Sequence, residues 1–137
     1  MSKVDCSKVY IKKSTLCKEG ENFDGAFATS FFDVGDIIEI GIVRLLPSDF
    51  DGNLSPYVFT WSDDIPNKTW AMASGCATFY NTGTETANVK MIRDFENNSF
   101  QLIASKQIKK DEELFHQYKS LKWRKCFLNI REKLNIQ

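Results

Sequence analysis

The chain has 137 residues, 42% hydrophobic and 26% charged, with 18 basic residues balancing 18 acidic ones. That length fits one domain with a core of its own, the composition excludes disordered and collagen-like classes, and a net charge of zero argues against direct nucleic-acid binding driven by phosphate neutralisation. No apolar run nears the ~20 residues of a membrane span and the start, MSKVDCSKVY, lacks a secretory apolar segment, so an intracellular chain with no membrane partner is expected.

KVYIKKS and GAFATSFF carry the β-branched and aromatic content of short strands, and after the turn-like Asp33-Val34-Gly35-Asp36 the run through IIEIGIVRLL alternates as a third. Residues 47–69 are rich in Pro, Gly, Asp, Asn and Ser, which predicts a loop region around one aromatic island, Tyr57 to Trp61. AMASGCATFYN follows as a small-residue strand leading to an aromatic pair and Asn81. NVKMIRDF and FQLIASKQI, on either side of an Asn97-Asn98-Ser99 turn, predict a hairpin. KKDEELFHQY predicts a turn and a last strand. Only the tail has helical spacing: Trp123, Phe127, Ile130 and Leu134 mark one apolar stripe of a helix over about 120–135. Such a helix either docks on its own domain or offers that stripe to a partner. The whole predicts a mainly β single domain, residues 1–137.

Charge is unevenly distributed. From residue 19 to 67 ten acidic residues face one base, Arg44, whereas residues 119–137 hold six bases and Glu132 alone among acids. The acidic half would steer a basic partner, or it is a solvated face. Cys6, Cys17, Cys76 and Cys126 form no C-x-x-C pair and there is one histidine, so no metal site is expected and the thiols are read as reduced. His116 has no nucleophile-elbow serine or cysteine beside it, and neither a P-loop nor a dinucleotide glycine motif is present. Asp63-Asp64 and Glu112-Glu113 are adjacent, and on a strand adjacent side chains point apart, which disfavours paired-carboxylate hydrolysis.

Five fragments in order, GAFATSFFDVGDIIE, YVFTW, AMASGCATFYN, DEELFHQY and YKSLKW, resemble the SET domain of protein lysine methyltransferases, and most of all its small stand-alone bacterial and viral forms; the resemblance covers residues 8–127 and implies a domain core with those bounds. The resemblance implies short strands in several small sheets, a C-terminal helix, and a pseudoknot in which the segment around Asn81 passes through a loop of the later chain. Close crossing of backbones would then explain Ala71, Ala73, Ser74, Gly75 and Ala77. It further implies S-adenosyl-L-methionine as cofactor, held by Phe23, Asp24, Gly25, Tyr80, Asn81 and Thr82 with Trp123 over the adenine. Tyr118 becomes the catalytic hydroxyl, and Tyr57 and Tyr118 line the channel for the substrate lysine. The partner would be a lysine-containing protein or peptide, histone tails being one candidate, in the cytoplasm or nucleus of a host cell; a homodimer is compatible with the family.

Four features depart from the family pattern. Asn-His-Ser is Asn81-Thr82-Gly83, the run from there to the second Asn, Asn88, is one residue longer and lacks the usual Pro before it, Gly-x-Gly is Phe23-Asp24-Gly25, and Asp111 stands where glycine precedes Glu-Glu. These departures motivate two other readings: a degenerate SET domain that binds a peptide or partner protein without turnover, and a virion or phage protein using the fold as a scaffold.

Overall fold

A computed structural model of the chain describes residues 3–55, 57–62 and 69–117. Among them run nine strands: β1 Val9–Lys13, β2 Asp24–Ala28, β3 Ile37–Leu45, β4 Phe59–Thr60, β5 Trp70–Ala73, β6 Asn81–Thr82, β7 Val89–Asp94, β8 Ser99–Ala104 and β9 Glu113–His116. Single 3-10 turns occur at Gly52–Leu54 and Ala77–Phe79. The protein is mainly β, as expected from its β-branched and aromatic runs. The helix expected over about 120–135 lies outside the described residues.

The strands are hydrogen-bonded in the order β1-β2-β9-β7-β8-β3-β5-β4, with β6 on β9 beside this path. Small ladders are thus joined through shared strands. Pairing is antiparallel except at β9, which runs parallel to β6 (Asn81 opposite Phe115, Thr82 opposite His116) and to β7 (Val89 opposite His116). The last strand therefore touches β2, β6 and β7. The candidate site is assembled at that junction.

The β7–β8 hairpin forms where alternation placed it, from Val89 opposite Ala104 to Asp94 opposite Ser99. Its turn occupies residues 95–98, two residues earlier than the Asn-Asn-Ser expected, and Ser99 is already paired. The Asp94 carboxylate accepts from the Asn97 backbone N–H (3.1 Å) and its Nδ2 (2.8 Å), and Asn98 takes the left-handed φ of 49°. Asparagine tolerates that region better than most residues because its short polar side chain bonds locally.

One face of the sheet supplies the core, with Ala26 and Ala28 of β2, Ile38 of β3, Phe100 and Leu102 of β8 and Leu114 of β9 all buried. Phe27, on the opposite face of β2, is also buried: Tyr10 stacks on it at 5.6 Å and the Lys12 ammonium lies 4.5 Å from its ring centre. In β3 the pairing register shifts between Ile37 and Glu39, a bulge that turns two successive residues, Ile38 and Glu39, inward. Of the small residues around position 74, fully buried Ala71 sits between Leu45 and Phe59 on β3 and β4, where sheet packing favours a small side chain. Gly75 has φ 66°, and a Cβ there would lie 2.3 Å from the Glu39 carboxylate. Here close approach is the reason, but the neighbour is a side chain.

Candidate functional site around strand β9

Glu113 opens β9, is 4% exposed, and accepts four hydrogen bonds. Ser14 Oγ donates to Oε2 (2.8 Å), the Thr15 N–H (2.8 Å) and hydroxyl donate to Oε1, and Asn81 Nδ2 donates to Oε2 (3.3 Å). A buried carboxylate is tolerated only when so satisfied. It ties together three distant stretches: the loop after β1, the start of β9 and β6.

Gly25 makes room for this arrangement. A Cβ at that position would stand 2.3 Å from Glu113 Oε2, far inside normal contact, and 3.1 Å from Asn81 Nδ2, tighter than usual. Asn81 is half-buried, and its Nδ2 also donates to the Asp24 carbonyl (3.0 Å), so Asp24, Gly25 and Asn81 form one surface. Its Oδ1 takes no donor among the described residues. Asn88 instead bonds to backbone: its N–H donates to the Phe115 carbonyl (3.0 Å), its Oδ1 accepts from the Phe115 N–H (2.8 Å), and its Nδ2 donates to the Glu113 carbonyl (3.0 Å). The carboxamide acts as an extra peptide unit, extending the β7–β9 ladder past the single residue pair that bonds directly.

The other expected site residues divide. Phe23 leads into this surface: its N–H donates to Cys17 Sγ (3.3 Å) and its carbonyl accepts from the Ser14 N–H (2.9 Å). The positive-φ non-glycine residues among those described are Asn98 and Asp111, so Phe23 occupies the place of the family's first glycine without left-handed backbone. Thr82, 1% exposed, is enclosed in the core beside β9. Tyr80 is brought close in the chain, but its side chain is buried and its hydroxyl donates to Glu39 Oε1 (2.8 Å), so the ring is a core component and can meet a ligand only through its backbone. Tyr57 is 68% exposed, with no hydrogen bond or ring contact to the Asn81 surface among the described residues. Tyr118 and Trp123 lie outside the described residues.

Asp111 has φ 69°, its N–H donates to the Ala28 carbonyl (2.8 Å), and its carboxylate accepts from the Tyr10 hydroxyl (2.9 Å). The position needs left-handed backbone, which explains why glycine is the family's usual choice. Aspartate is one of the few substitutes that visits that region. This departure therefore leaves the turn into β9 intact.

Around Glu39 lies a second buried group. Its Oε2 accepts from the Cys76 N–H (2.9 Å) opposite the Tyr80 bond, and burial raises its pKa above the ordinary carboxylate value, against the two hydrogen bonds that lower it. Burial, followed by the charge of Glu39 and the nearby Cys6, pushes the Cys76 thiol up to about 12. Burial and the same carboxylate also move the Tyr80 phenol upward. These groups are held in the neutral-donor pattern of a structural core.

Ser14 and Thr15 were not singled out by sequence, and Glu113 and Asn88 were noted there only as members of short motifs, without a site role. Glu113 carried a signal that could have been used: strand alternation placing Glu112 outside puts its neighbour inside, where a carboxylate must have partners. A separate open groove on β3 and β5, lined by Ile42, Val43, Arg44, Met72, Ala73 and Ser74, includes none of the residues around Asn81. Among the described residues no cluster of His, Cys, Asp or Glu could hold a metal ion, and no helix is long and apolar enough to cross a membrane.

The SET domain family model matches residues 24–119, a span that contains Gly25, Asn81 and Glu113. No curated protein sequence matches the chain. Similar solved structures include a Plasmodium falciparum protein assigned as a histone methyltransferase, with TM-score 0.61, 24% identity, and coverage of 81% of this chain and 92% of that one. Polycomb repressive complex 2 of Chaetomium thermophilum, in complex with H3K27me3 and H3K27M, matches with TM-score 0.63 and 21% identity over 82% of this chain and 14% of that one. The methyltransferase domain of human PR domain-containing protein 2 matches with TM-score 0.57 and 19% identity, covering 81% and 76%. At these identities the likeness is one of fold.

Proposed function

The chain belongs to the SET-domain family, and from that premise we propose that it is an S-adenosylmethionine-dependent protein lysine N-methyltransferase. The observation that carries the reading is the parallel pairing of β6 with β9, which sets Asn81 opposite Phe115. Tyr118 follows three residues later, a chain distance of at most about 10 Å. This supports the reading, since the residue expected to hold cofactor lies opposite the strand from which the chain leads to the residue expected to act on the reacting groups.

The donor and acceptor set around Asn81 fits the amino-acid end of such a cofactor. Asn81 Oδ1 has spare acceptor capacity, the Asp24 to which Asn81 Nδ2 bonds is exposed, and neither metal nor strong base is needed. Asn81, the backbone of Tyr80 and Thr82, and the Phe23-Asp24-Gly25 segment would hold it, with Trp123 against the adenine. When bound, S-adenosylmethionine supplies a methyl group on a cationic sulfur that is already an excellent leaving group. The protein then has to position and to dry the site.

A substrate lysine, ordinarily protonated with a pKa of about 10.4, must arrive as the free amine. A channel walled by Tyr118 and Tyr57 would exclude water and so lower that pKa, and a like charge close by lowers it further. The Tyr118 hydroxyl would fix the amine's direction. Acidic residues concentrated between 19 and 67 favour a basic peptide, and the polycomb neighbour is in complex with H3K27me3 and H3K27M.

Thermal unfolding with and without S-adenosylmethionine or S-adenosylhomocysteine tests the reading. A ligand at about a hundred times its Kd adds roughly 2.7 kcal/mol, which is several degrees for a domain of this size. Tyr118→Phe is expected to reduce methyl transfer to lysine peptides strongly while the thermal shift persists. The half-buried Phe23 at the family's glycine position favours the other reading, a SET domain that binds a partner without turnover. Unchanged melting at millimolar cofactor would select it.

A further inference from the structure

We propose that Glu113 is a positioning residue, whose carboxylate holds the Asn81 carboxamide in the single orientation that presents an oxygen acceptor to an ammonium group of the ligand. This rests on the reading that the Asn81 surface takes S-adenosylmethionine or its demethylated product. A carboxamide has one face that donates and one that accepts, and a rotation of half a turn exchanges them. At Asn81 the inward atom is fixed by what surrounds it. The Asp24 carbonyl lies 3.0 Å away and Glu113 Oε2 3.3 Å away, and both are acceptors. Nδ2 satisfies both; Oδ1 turned inward would face two oxygens and satisfy neither.

Glu113 can play this part because it is itself fixed. Ser14 Oγ, the Thr15 N–H, the Thr15 hydroxyl and Asn81 Nδ2 supply four donors, which fill the roughly four lone-pair sites of a carboxylate. Ser14 Oγ also accepts from the Leu16 N–H (3.1 Å), so its own proton is directed at Glu113. The missing Cβ of Gly25 leaves Glu113 Oε2 the space it occupies. Everything around Asn81 therefore favours Nδ2 inward and Oδ1 outward, and an outward acceptor selects a ligand that carries a donor there.

Glutamine at position 113 removes half of the constraint. Its amide presents either an oxygen or an NH2 group to Asn81, and with the NH2 inward the reversed Asn81 is tolerated, leaving the Asp24 carbonyl alone to oppose it. The expected consequence is a loss of discrimination for the ligand's amino group. A general loss of binding would mark a purely structural role.

Calorimetric titration of the full chain with S-adenosylhomocysteine and with its des-amino analogue measures this directly. The wild type should prefer the amine-bearing ligand by about tenfold or more, and Glu113→Gln should lose most of that preference. Ser14→Ala, which removes a donor from the same carboxylate and leaves Asn81 facing it, should lower stability but keep the preference. An undiminished preference in Glu113→Gln would overturn the inference while leaving the functional reading intact. No binding of S-adenosylhomocysteine to the wild type would overturn that reading and the inference with it. Should Glu113→Gln fail to fold, the wild type still decides: Asn81 side-chain amide protons protected from exchange before ligand is added support the proposal, and unprotected ones overturn it.

Discussion

Gly25 is where one added methyl group would meet the most resistance. The Cβ of an alanine would lie 2.3 Å from Glu113 Oε2, and that oxygen cannot withdraw without leaving Ser14 and Asn81. Gly25→Ala is expected to destabilise the fold by about 1–3 kcal/mol, as overpacking does in other cores, and to weaken cofactor binding in step. Urea midpoints and ligand titration of the same variant check both. Gly25 and Asn81 could be found in the sequence because each belongs to a short ordered motif. The pairing of Ser14 with Glu113 could not, since 99 positions separate the two partners and no local pattern links them. Tyr80 was legible as a neighbour of Asn81 but not as a core residue, because its partner Glu39 is 41 positions away and turned inward by a bulge.

Among the elements, β9 is the one whose environment is least ordinary. It pairs in both senses, and on its β7 side a side chain stands in for backbone. Asn88→Ala removes the acceptor for the Phe115 N–H and the donor for the Glu113 carbonyl. Leaving such groups unpaired costs about 1–3 kcal/mol. Hydrogen exchange read residue by residue should show the Phe115 amide exchanging much faster in this variant while the β7–β8 hairpin amides change little. Unchanged protection at Phe115 would show that water or neighbouring chain replaces Asn88 at no cost. β-Branched and aromatic content made β1 and β2 legible, and alternation made β3, β7 and β8 so. β4 and β6, of two residues each, are too short to show a period, and they exist only because β5 and β9 offer them a ladder.

At the scale of the whole molecule, the buried group around Glu39 makes stability depend on pH. Its carboxyl is raised above 4.5 in the folded protein, chiefly by burial. As pH rises from about that value, the unfolded chain gives up its proton first, so the folded state binds more protons and stability falls until the folded pKa is passed, after which it is level. Every tenfold difference in proton affinity between the two states corresponds to roughly 1.4 kcal/mol. Urea midpoints measured from pH 4 upward should decline across this window in the wild type and less steeply in Glu39→Gln. A further decline is expected above pH 9, where an unfolded Cys76 thiol ionises while the folded one, at about 12, does not. Parallel curves for wild type and Glu39→Gln would remove Glu39 as the cause of the acid-side slope.

Strand β9, the latest in the described chain, is bonded to strands that begin at residues 24, 81 and 89. During synthesis, β1 and β2 can form their own hairpin early, but the seat for their outer neighbour stays empty until residue 116 has cleared the ribosomal tunnel. The growing polypeptide must therefore keep an open edge on β2 waiting until then, and closure is a late event that engages β2, β6 and β7 together.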